Sequence, residues 1–312
     1  MRIAVVQKPP CLLDRAKTLA DAVVSVAEAA AGGADVVVFP ETYVPGYPVW
    51  IWRLRPGGDM VLAERLHAQL LANAVDLAAD DLRPLRDAAR EHQVIVVCGI
   101  NERDAAFSRG TIYNSVVVIA ADGSIANRHR KLMPTNPERM VWGMGDASGL
   151  HVIDTPAGRL GTLICWENYM PLARYALYAQ GVEVYIAPTY DSGERWLATM
   201  RHIAREGGCW VVGSGFALRA RDLPDVLPGK AELYPDPEEW INSGDSVVVA
   251  PGGNVVAGPL RKEMGILYAD IDLEQVGVAR RSLDVAGHYA RPDVFRLHID
   301  TSERRPVDFA PR

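Results

Sequence analysis

The sequence predicts an α/β protein in which two β-sheets face each other and helices cover their outer sides. Short runs rich in β-branched residues alternate along the chain with longer stretches of helical periodicity. This order of elements occurs in the first half of the 312 residues and again in the second half. No linker rich in Ser, Gly or Pro separates the halves, so we expect them to form one domain.

The first three predicted elements are a strand, a helix and a second strand. Ile3–Gln7 is a short apolar run at the start of the chain. Arg15–Ala31 is rich in Ala with apolar residues at helical spacing, and the Gly-Gly pair that follows is a helix-ending signal. Val36–Phe39 is a continuous apolar run, which is typical of a strand covered on both faces.

A second helix, a third strand and a hairpin complete the first half. Asp81–Glu91 has helical spacing, and the apolar run Val94–Gly99 predicts the next strand. Ser115–Ala120 and Ser124–Arg128 are short runs on either side of an Asp-Gly pair, which is a strong hairpin signal.

The second half repeats this order of elements. Leu160–Ile164 predicts a strand, and Pro171–Gln180 predicts a helix because Pro is favoured at a helix start and Gly181 at its end. The same alternation predicts the remaining elements: strand Glu183–Ala187, helix Arg195–Glu206, strand Cys209–Gly213, a hairpin of Ser246–Ala250 and Asn254–Ala257, and strand Ile266–Ile271.

Two segments interrupt the alternation. Pro45–Val75 contains the aromatic residues Tyr47, Trp50 and Trp52, followed by a helix-like run. Ala217–Ser243 is long, polar and contains Pro. Loops of this length within a compact domain are usually functional or interfacial, so we expect one of these roles for both segments.

The composition excludes several classes of protein. Hydrophobic residues make up 49% and charged residues 23%, so the chain is neither disordered nor fibrous. Lys and Arg total 33 against 39 Asp and Glu, and the net charge of −6 offers no basic surplus for nucleic acid. No apolar run reaches the roughly 18 residues of a membrane-spanning helix. No His-Glu-x-x-His or Cys-x-x-Cys motif predicts a metal site.

The cysteines and the first residues bear on the compartment. Cys11, Cys98, Cys165 and Cys209 are widely spaced, which argues against a disulfide scaffold and for a reducing environment. The chain starts directly with an apolar run, without the charged leader and cleavage site of a signal peptide. We therefore expect a cytoplasmic location.

Four reactive side chains follow predicted strands. Glu41 ends the run Val-Val-Val-Phe-Pro-Glu, Lys131 follows the first hairpin, and Cys165 ends the strand of the second half. Glu138 lies in a Pro-containing loop shortly after Lys131. Each has a structural alternative, since a free Cys is most often a buried apolar residue and a lone Lys or Glu is usually solvated or paired. Because sites in α/β sheets collect at strand ends, we expect the four to converge.

Taken together, these segments resemble the catalytic motifs of the nitrilase superfamily of carbon–nitrogen hydrolases, in the family's order. The resemblance runs from Arg2 to about Arg296, and the residues after Cys165 and Lys131 look like the true nitrilase branch. The chain ends soon after Pro292, whereas the family's tails contribute to assembly. The segments that carry the resemblance are Phe39-Pro40-Glu41, His129-Arg130-Lys131-Leu132, Cys165-Trp166-Glu167-Asn168, Ala187-Pro188-Thr189 and Gly287-His288-Tyr289-Ala290-Arg291-Pro292-Asp293.

The resemblance implies a four-layer α-β-β-α sandwich over residues 1–296, with 297–312 as a short C-terminal tail. It also implies that Glu41, Lys131 and Cys165 form a catalytic triad assisted by Glu138. A nitrile carbon is a weak electrophile, which calls for a thiolate nucleophile, a base to take the thiol proton, and a cation to stabilise the charge that develops on nitrogen. The backbone N–H of Trp166 is expected to share this stabilisation. No step moves a hydride or a phosphate, so we expect no cofactor and no metal.

The expected reaction converts an organic nitrile to the carboxylic acid and ammonia. An amidase of the same superfamily, a cyanide dihydratase and a catalytically inactive interaction protein are the alternatives. Aromatic residues near the motifs favour an organic substrate over cyanide. His129 is two residues from Lys131, and alternate strand residues share one face, so we expect it to support the site. The substrate-binding candidates are Tyr47, His129, Trp142, Trp166, Thr189 and Tyr190.

The resemblance also implies a homodimer or a larger homo-oligomer, in which protomers pack through their helix layers. The helix predicted over Pro171–Gln180 carries more apolar residues than one buried stripe requires. A surplus of this kind is expected of a helix that also contacts another subunit.

Overall fold

The computed structural model describes residues 1–308, so the last four residues of the predicted tail, 309–312, lie outside the described part. Within residues 1–308, the strands form two sheets of seven strands each. Both sheets have a central group of three parallel strands, which confirms the prediction of two halves with the same order of elements.

The first sheet contains strands from the first half of the chain and one strand from near its end. Its spatial order is β14-β1-β2-β3-β4-β5, and the short β6 pairs with β4. The last strand, β14, pairs antiparallel with β1, a long-range pairing that the sequence did not predict. The strands are β1 (Arg2–Val6), β2 (Val36–Val38), β3 (Ile95–Arg103), β4 (Ile112–Ile119), β5 (Ile125–Arg130), β6 (Trp142–Gly143) and β14 (Ile266–Asp270).

The second sheet has the spatial order β11-β12-β10-β9-β8-β7, with β13 paired to β12. Both predicted hairpins are present, as β4–β5 in the first sheet and β12–β13 in the second. The strands are β7 (Ile153–Thr155), β8 (Gly158–Thr162), β9 (Val184–Pro188), β10 (Trp210–Ser214), β11 (Ala217–Arg219), β12 (Trp240–Val249) and β13 (Val255–Arg261).

Seven α-helices lie within residues 1–308, and none of them is long and apolar enough to cross a bilayer. The first helix has the predicted bounds because Asp14 caps its start, where the side chain accepts a hydrogen bond from the N–H of Lys17. The helices are α1 (Arg15–Ala31), α2 (Met60–Asn73), α3 (Arg83–His92), α4 (Pro171–Ala179), α5 (Glu194–Gly207), α6 (Lys230–Leu233) and α7 (Glu274–Ser282).

Alternating side chains of the strands build the layers. Along β1, Ile3 and Val5 pack between the two sheets, whereas Ala4 and Val6 pack against the helices on the outer face. The outer face of the first sheet is covered by α1 and α3, and that of the second sheet by α4 and α5. The predicted four-layer α-β-β-α sandwich is therefore confirmed.

The bounds of several elements differ from those predicted. Most strand ends move by one to three residues, but β3 continues four residues beyond the predicted end to Arg103 because it pairs with the whole of β4. The sequence did not predict β6, β7, β11, α6 or α7. The two interrupting segments are partly regular, since the first contains a 3-10 turn and α2, and the second contains β11, α6 and the start of β12.

Strand β3 passes very close behind the turn that follows β2. A Cβ atom at Gly99 would lie 2.2 Å from the carbonyl oxygen of Pro40 and 2.4 Å from the backbone nitrogen of Thr42. The carbonyl of Gly99 also accepts a hydrogen bond from the N–H of Val44, at 3.2 Å. Only glycine allows this approach, which fixes the backbone on both sides of Glu41.

Candidate active site

Four chain segments meet at one edge of the sandwich, where β2, β5, β8 and β9 end. Glu41 follows β2, and Lys131 follows β5 directly. Glu138 lies in a 3-10 turn over Asn136–Met140. Cys165 starts a 3-10 turn three residues after β8, because the strand ends at Thr162, two residues before the predicted end at Ile164. The four side chains are buried and close together, as predicted.

Lys131 is the centre of this cluster. Its Nζ donates to Glu41 Oε1 at 2.8 Å and to Glu138 Oε2 at 2.7 Å, and its side chain is completely buried. Burial lowers the pKa of Lys131, but the charges of Glu41 and Glu138 oppose that effect, and the pKa lies above its ordinary value. The ammonium is therefore kept charged, and it has one more N–H than the two carboxylates use.

Glu41 is held on both carboxylate oxygens. Its Oε1 accepts from Asn114 Nδ2 at 2.7 Å as well as from Lys131, and its Oε2 accepts from the N–H of Tyr190 at 2.6 Å. Burial raises the pKa of Glu41, the Lys131 ammonium lowers it, and the charge of Glu138 raises it again, with a net rise. A carboxylate with a raised pKa takes up a proton more readily than an exposed one, which suits a base.

Glu138 is buried rather than on the loop surface. Its Oε2 accepts from Lys131 and from the N–H of Thr135 at 2.7 Å, and its Oε1 accepts from the hydroxyl of Tyr47 at 2.6 Å. Burial, followed by the charges of Glu138 and Glu41, raises the pKa of Tyr47 far above its ordinary value. Tyr47 therefore stays protonated and keeps donating its hydrogen bond to Glu138.

Cys165 has a backbone conformation that non-glycine residues rarely adopt, with φ at 49°. The first hydrogen bond of its 3-10 turn is donated by Glu167 to Ile164, so the turn does not use the N–H groups of Cys165 and Trp166. Burial and the charge of Glu41 raise the pKa of the Cys165 thiol, and Lys131 opposes them. The free protein therefore holds a neutral thiol.

The other cysteines lie elsewhere in the fold. Cys98 packs between the first sheet and its helices, and Cys209 packs between the second sheet and its helices. Burial raises the pKa of both thiols, and that of Cys209 rises to about 12. Cys11 is partly exposed, and burial followed by the charge of Asp14 raises its pKa. These positions agree with the structural role expected of a lone cysteine.

A third buried carboxylate, that of Glu167, connects the two segments that carry Lys131 and Cys165. Glu167 accepts from the N–H of Leu132 and from the N–H of Ile164, both at 2.7 Å. Nε2 of His129 lies 3.1 Å from both carboxylate oxygens of Glu167. Burial raises the pKa of Glu167, but His129 and these backbone donors lower it by more than burial raises it. The pKa is therefore below its ordinary value, and the carboxylate is ionised. The sequence showed Glu167 only as a member of a motif.

A cleft of about 240 Å³ opens above Cys165 and Glu138. Three of the predicted substrate-binding residues line it: Tyr47, Trp166 and Tyr190. The rings of Tyr47 and Tyr190 stack with centroids 3.9 Å apart. The sequence did not predict six other residues that line it: Trp52, Thr135, Asp191, Ser192, Ile241 and Asn242.

The other three substrate-binding candidates are not among the residues that line the cleft. His129 is completely buried beside Glu167, as described above. Trp142 donates through Nε1 to Asn101 Oδ1 at 2.9 Å and packs edge-on against Tyr47. Thr189 is completely buried, and its hydroxyl oxygen accepts a hydrogen bond from the N–H of Asp191 at 2.8 Å. Each of the three contacts a residue of the site: His129 contacts Glu167, Trp142 contacts Tyr47, and Thr189 contacts Asp191.

No group of three or more His, Cys, Asp or Glu side chains within residues 1–308 is arranged to hold a metal ion.

Comparison with known proteins gives the family of the chain. Residues 2–281 match the family model described as carbon-nitrogen hydrolase. The chain belongs to the carbon-nitrogen hydrolase family. This hydrolase is 40% identical to an aliphatic nitrilase of Sinorhizobium fredii (strain HH103), over 98% of this chain and 97% of the relative.

Two further similarities extend this comparison. The hydrolase is 39% identical to the bifunctional nitrilase/nitrile hydratase NIT4B of Nicotiana tabacum, over 99% of this chain and 88% of the relative. Its fold is similar to the crystal structure of Saccharomyces cerevisiae Nit3, a member of branch 10 of the nitrilase superfamily, with a TM-score of 0.69. That similarity has 20% sequence identity and covers 93% of this chain and 96% of the other.

Replacing Glu167 by Gln tests the connection between the two segments. In Glu167→Gln, an amide NH₂ faces a backbone N–H, so one of the two backbone contacts becomes repulsive. We expect iodoacetamide to alkylate Cys165 at a rate changed by at least about threefold, and kcat to fall at least about tenfold with a smaller change in KM. Intact mass spectrometry and steady-state kinetics measure the two effects.

Glu206→Gln is the matched control. Glu206 accepts from Arg174 Nε at 2.9 Å and from the hydroxyl of Tyr178 at 2.8 Å, within the outer helix layer. We expect this variant to lower Tm while the alkylation rate of Cys165 and kcat stay within about twofold of wild type. Equal losses of kcat in the two variants would show that Glu167 contributes only to stability.

Proposed function

We propose that this protein is a nitrilase, which hydrolyses an organic nitrile to the carboxylic acid and ammonia. The arrangement of Lys131, held charged between Glu41 and Glu138 beside the buried thiol of Cys165, carries the proposal. The names of the relatives at about 40% identity, which cover nearly the whole chain, support nitriles as the substrates.

The first half of the proposed cycle forms a covalent adduct. Glu41 takes the proton of the neutral Cys165 thiol, and the sulfur attacks the nitrile carbon. Negative charge develops on the nitrile nitrogen, where Lys131 and the N–H of Trp166 stabilise it. Glu41 then returns the proton to that nitrogen, which leaves a thioimidate on Cys165.

The second half of the proposed cycle consumes two water molecules. Glu41 activates the first water, which adds to the thioimidate carbon, and the tetrahedral intermediate expels ammonia and leaves a thioester. The second water attacks the thioester, releases the carboxylic acid and restores the Cys165 thiol. Since no step transfers a hydride or a phosphoryl group, we propose that the reaction uses neither a cofactor nor a metal.

Side-by-side assays of a nitrile and its amide test the function. We expect ammonia release from at least one organic nitrile, in a panel of benzonitrile, phenylacetonitrile, a short aliphatic nitrile, a dinitrile and cyanide. Cys165→Ala is expected to abolish turnover, whereas Cys209→Ala, the buried control, keeps it. Intact mass with a slow nitrile is expected to show an adduct on Cys165. Preference for the amide would indicate an amidase, activity on cyanide alone a cyanide dihydratase, and normal turnover by Cys165→Ala would exclude the mechanism.

Glu138 is proposed to fix Lys131 and to orient the substrate or water. Glu138→Gln keeps the shape of the side chain but loses the charge that pairs with Lys131, so kcat is expected to fall at least about tenfold while Tm changes little. An adduct that forms on Cys165 but is released slowly would assign Glu138 to the hydrolytic half of the cycle, and absence of the adduct would assign it to positioning. Wild-type kinetics would remove Glu138 from the site.

Homo-oligomer formation is proposed from the outer helix layer of the second sheet. Leu172 on α4 is 66% exposed, and the neighbouring Tyr169 and Met170 are also exposed. A large apolar surface of this kind is stabilised when a second copy of the chain covers it. Sedimentation velocity at micromolar concentration is expected to show a dimer or a larger species, and a monomer would contradict the proposal.

A cytoplasmic location is also proposed, and the free state of all four cysteines supports a reducing compartment. Activity recovered in the soluble fraction after fractionation of the source cells would agree with this location, and activity in a secreted or membrane fraction would not.

A further inference from the structure

We propose that Asp191 makes the cleft selective for nitriles whose substituent is neutral or cationic, and against nitriles that carry a carboxylate. The inference rests on the nitrilase function proposed above, and it names the class of substrate that the same site accepts.

Asp191 lies in the loop after β9 and lines the cleft together with Cys165. Its Oδ2 accepts from Trp166 Nε1 at 3.0 Å and lies 3.3 Å from the hydroxyl of Tyr169, which also donates to it. Its Oδ1 accepts from the N–H of Ser192 at 2.8 Å. These donors are neutral, so they hold the carboxylate in place without cancelling its charge.

No cation compensates for this charge at the cleft. The residues that line the cleft include neither Lys nor Arg, and Asp191 forms no salt bridge within residues 1–308. Lys131 is shared between Glu41 and Glu138, so that group of one cation and two carboxylates has a net charge of −1 when both acids are ionised. The charge of Arg53 acts on the cleft residue Tyr190, whose pKa it lowers against the larger effect of burial, but Arg53 forms a salt bridge with Glu239.

None of the other lining residues carries a positive charge: Glu138 is acidic, Thr135, Ser192 and Asn242 are neutral and polar, and apart from Cys165 the rest are aromatic or apolar. Trp52 and Tyr47 lie parallel to Tyr190, with interplanar angles of 5°, and Ile241 completes the apolar wall. A substrate carboxylate that enters the cleft would therefore lose its hydration and meet negative charge without an ion-pair partner. A neutral substituent loses much less hydration free energy on entering. A substrate ammonium would gain the attraction of Asp191 and of the aromatic faces.

Three nitriles of the same chain length test the inference: 4-cyanobutanoate, 4-nitrobutanenitrile and 4-aminobutanenitrile. The nitro group has the shape of a carboxylate without its charge. We expect kcat/KM for the nitro compound to exceed that for the carboxylate at least about tenfold in wild type at low ionic strength. The ratio is expected to shrink when the ionic strength rises from about 20 mM to about 500 mM, because salt screens the repulsion.

Asp191→Asn keeps an acceptor for Trp166 and removes the charge. We expect it to reduce the nitro-to-carboxylate ratio at least about threefold and to lower kcat/KM for the amine relative to the nitro compound. Glu238→Gln removes an exposed carboxylate that is paired with Arg219 and Arg221 outside the cleft, and it is expected to leave both ratios unchanged.

The outcomes separate this inference from the proposed function. If wild type releases ammonia from the nitro compound and the carboxylate at equal kcat/KM, the nitrilase proposal stands and the inference is overturned. A ratio that neither salt nor Asp191→Asn changes also overturns it, since the selectivity then does not come from this charge. If no nitrile of the wider panel is hydrolysed, the proposed function itself fails. The salt dependence is measured on wild type, so its absence overturns the inference even if Asp191→Asn does not fold, and a ratio that a folded Asp191→Asn leaves unchanged overturns it even if salt changes the ratio.

Discussion

The buried ammonium of Lys131 is the constraint on which the site depends. A charge that is completely removed from water is tolerated only where opposite charges and hydrogen bonds replace the solvent, and removing one partner of such a pair typically costs about 3–5 kcal/mol. Lys131 has two carboxylate partners, Glu41 and Glu138, which arrive from different segments of the chain. Both segments must therefore be in place before the ammonium can be buried, so correct folding and assembly of the site are coupled.

The surrounding structure holds these partners in position. Gly99 lets β3 pass directly behind Glu41, and Glu167 connects the segment of Lys131 to that of Cys165 through two backbone N–H groups. Tyr47 holds the far oxygen of Glu138. Groups held this firmly need little reorganisation when charge develops on a substrate. Such preorganisation is a main source of electrostatic stabilisation in enzymes. Burial and the charge of Glu41 raise the pKa of Cys165 and so favour the neutral thiol in the free protein.

The periodicity of the sequence predicted much of the fold. Helix α1 has its predicted bounds, and both hairpins and the repeated order of strands and helices are present, because these features depend on local spacing and on Gly, Pro and Asp at turns. The pairing of β14 with β1 was not predicted, because the two strands are more than 250 residues apart and no local pattern encodes their contact. The strands β6, β7 and β11 were missed for a different reason: each has only two or three residues, which is too short to show a periodic pattern.

For the site, the sequence by itself determined which four reactive residues come together: Glu41, Lys131, Glu138 and Cys165 stand in recognisable motifs at or near strand ends. Only the tertiary structure decided which neighbours meet the cleft. His129, Trp142 and Thr189 are in or close to the motifs in sequence but are buried behind the cleft, whereas Asp191 lines the cleft from a loop and Asn242 from strand β12, neither of which carries a catalytic motif. The physical reason is that a motif records the chemistry of a few residues, whereas the direction of each side chain depends on how distant segments pack.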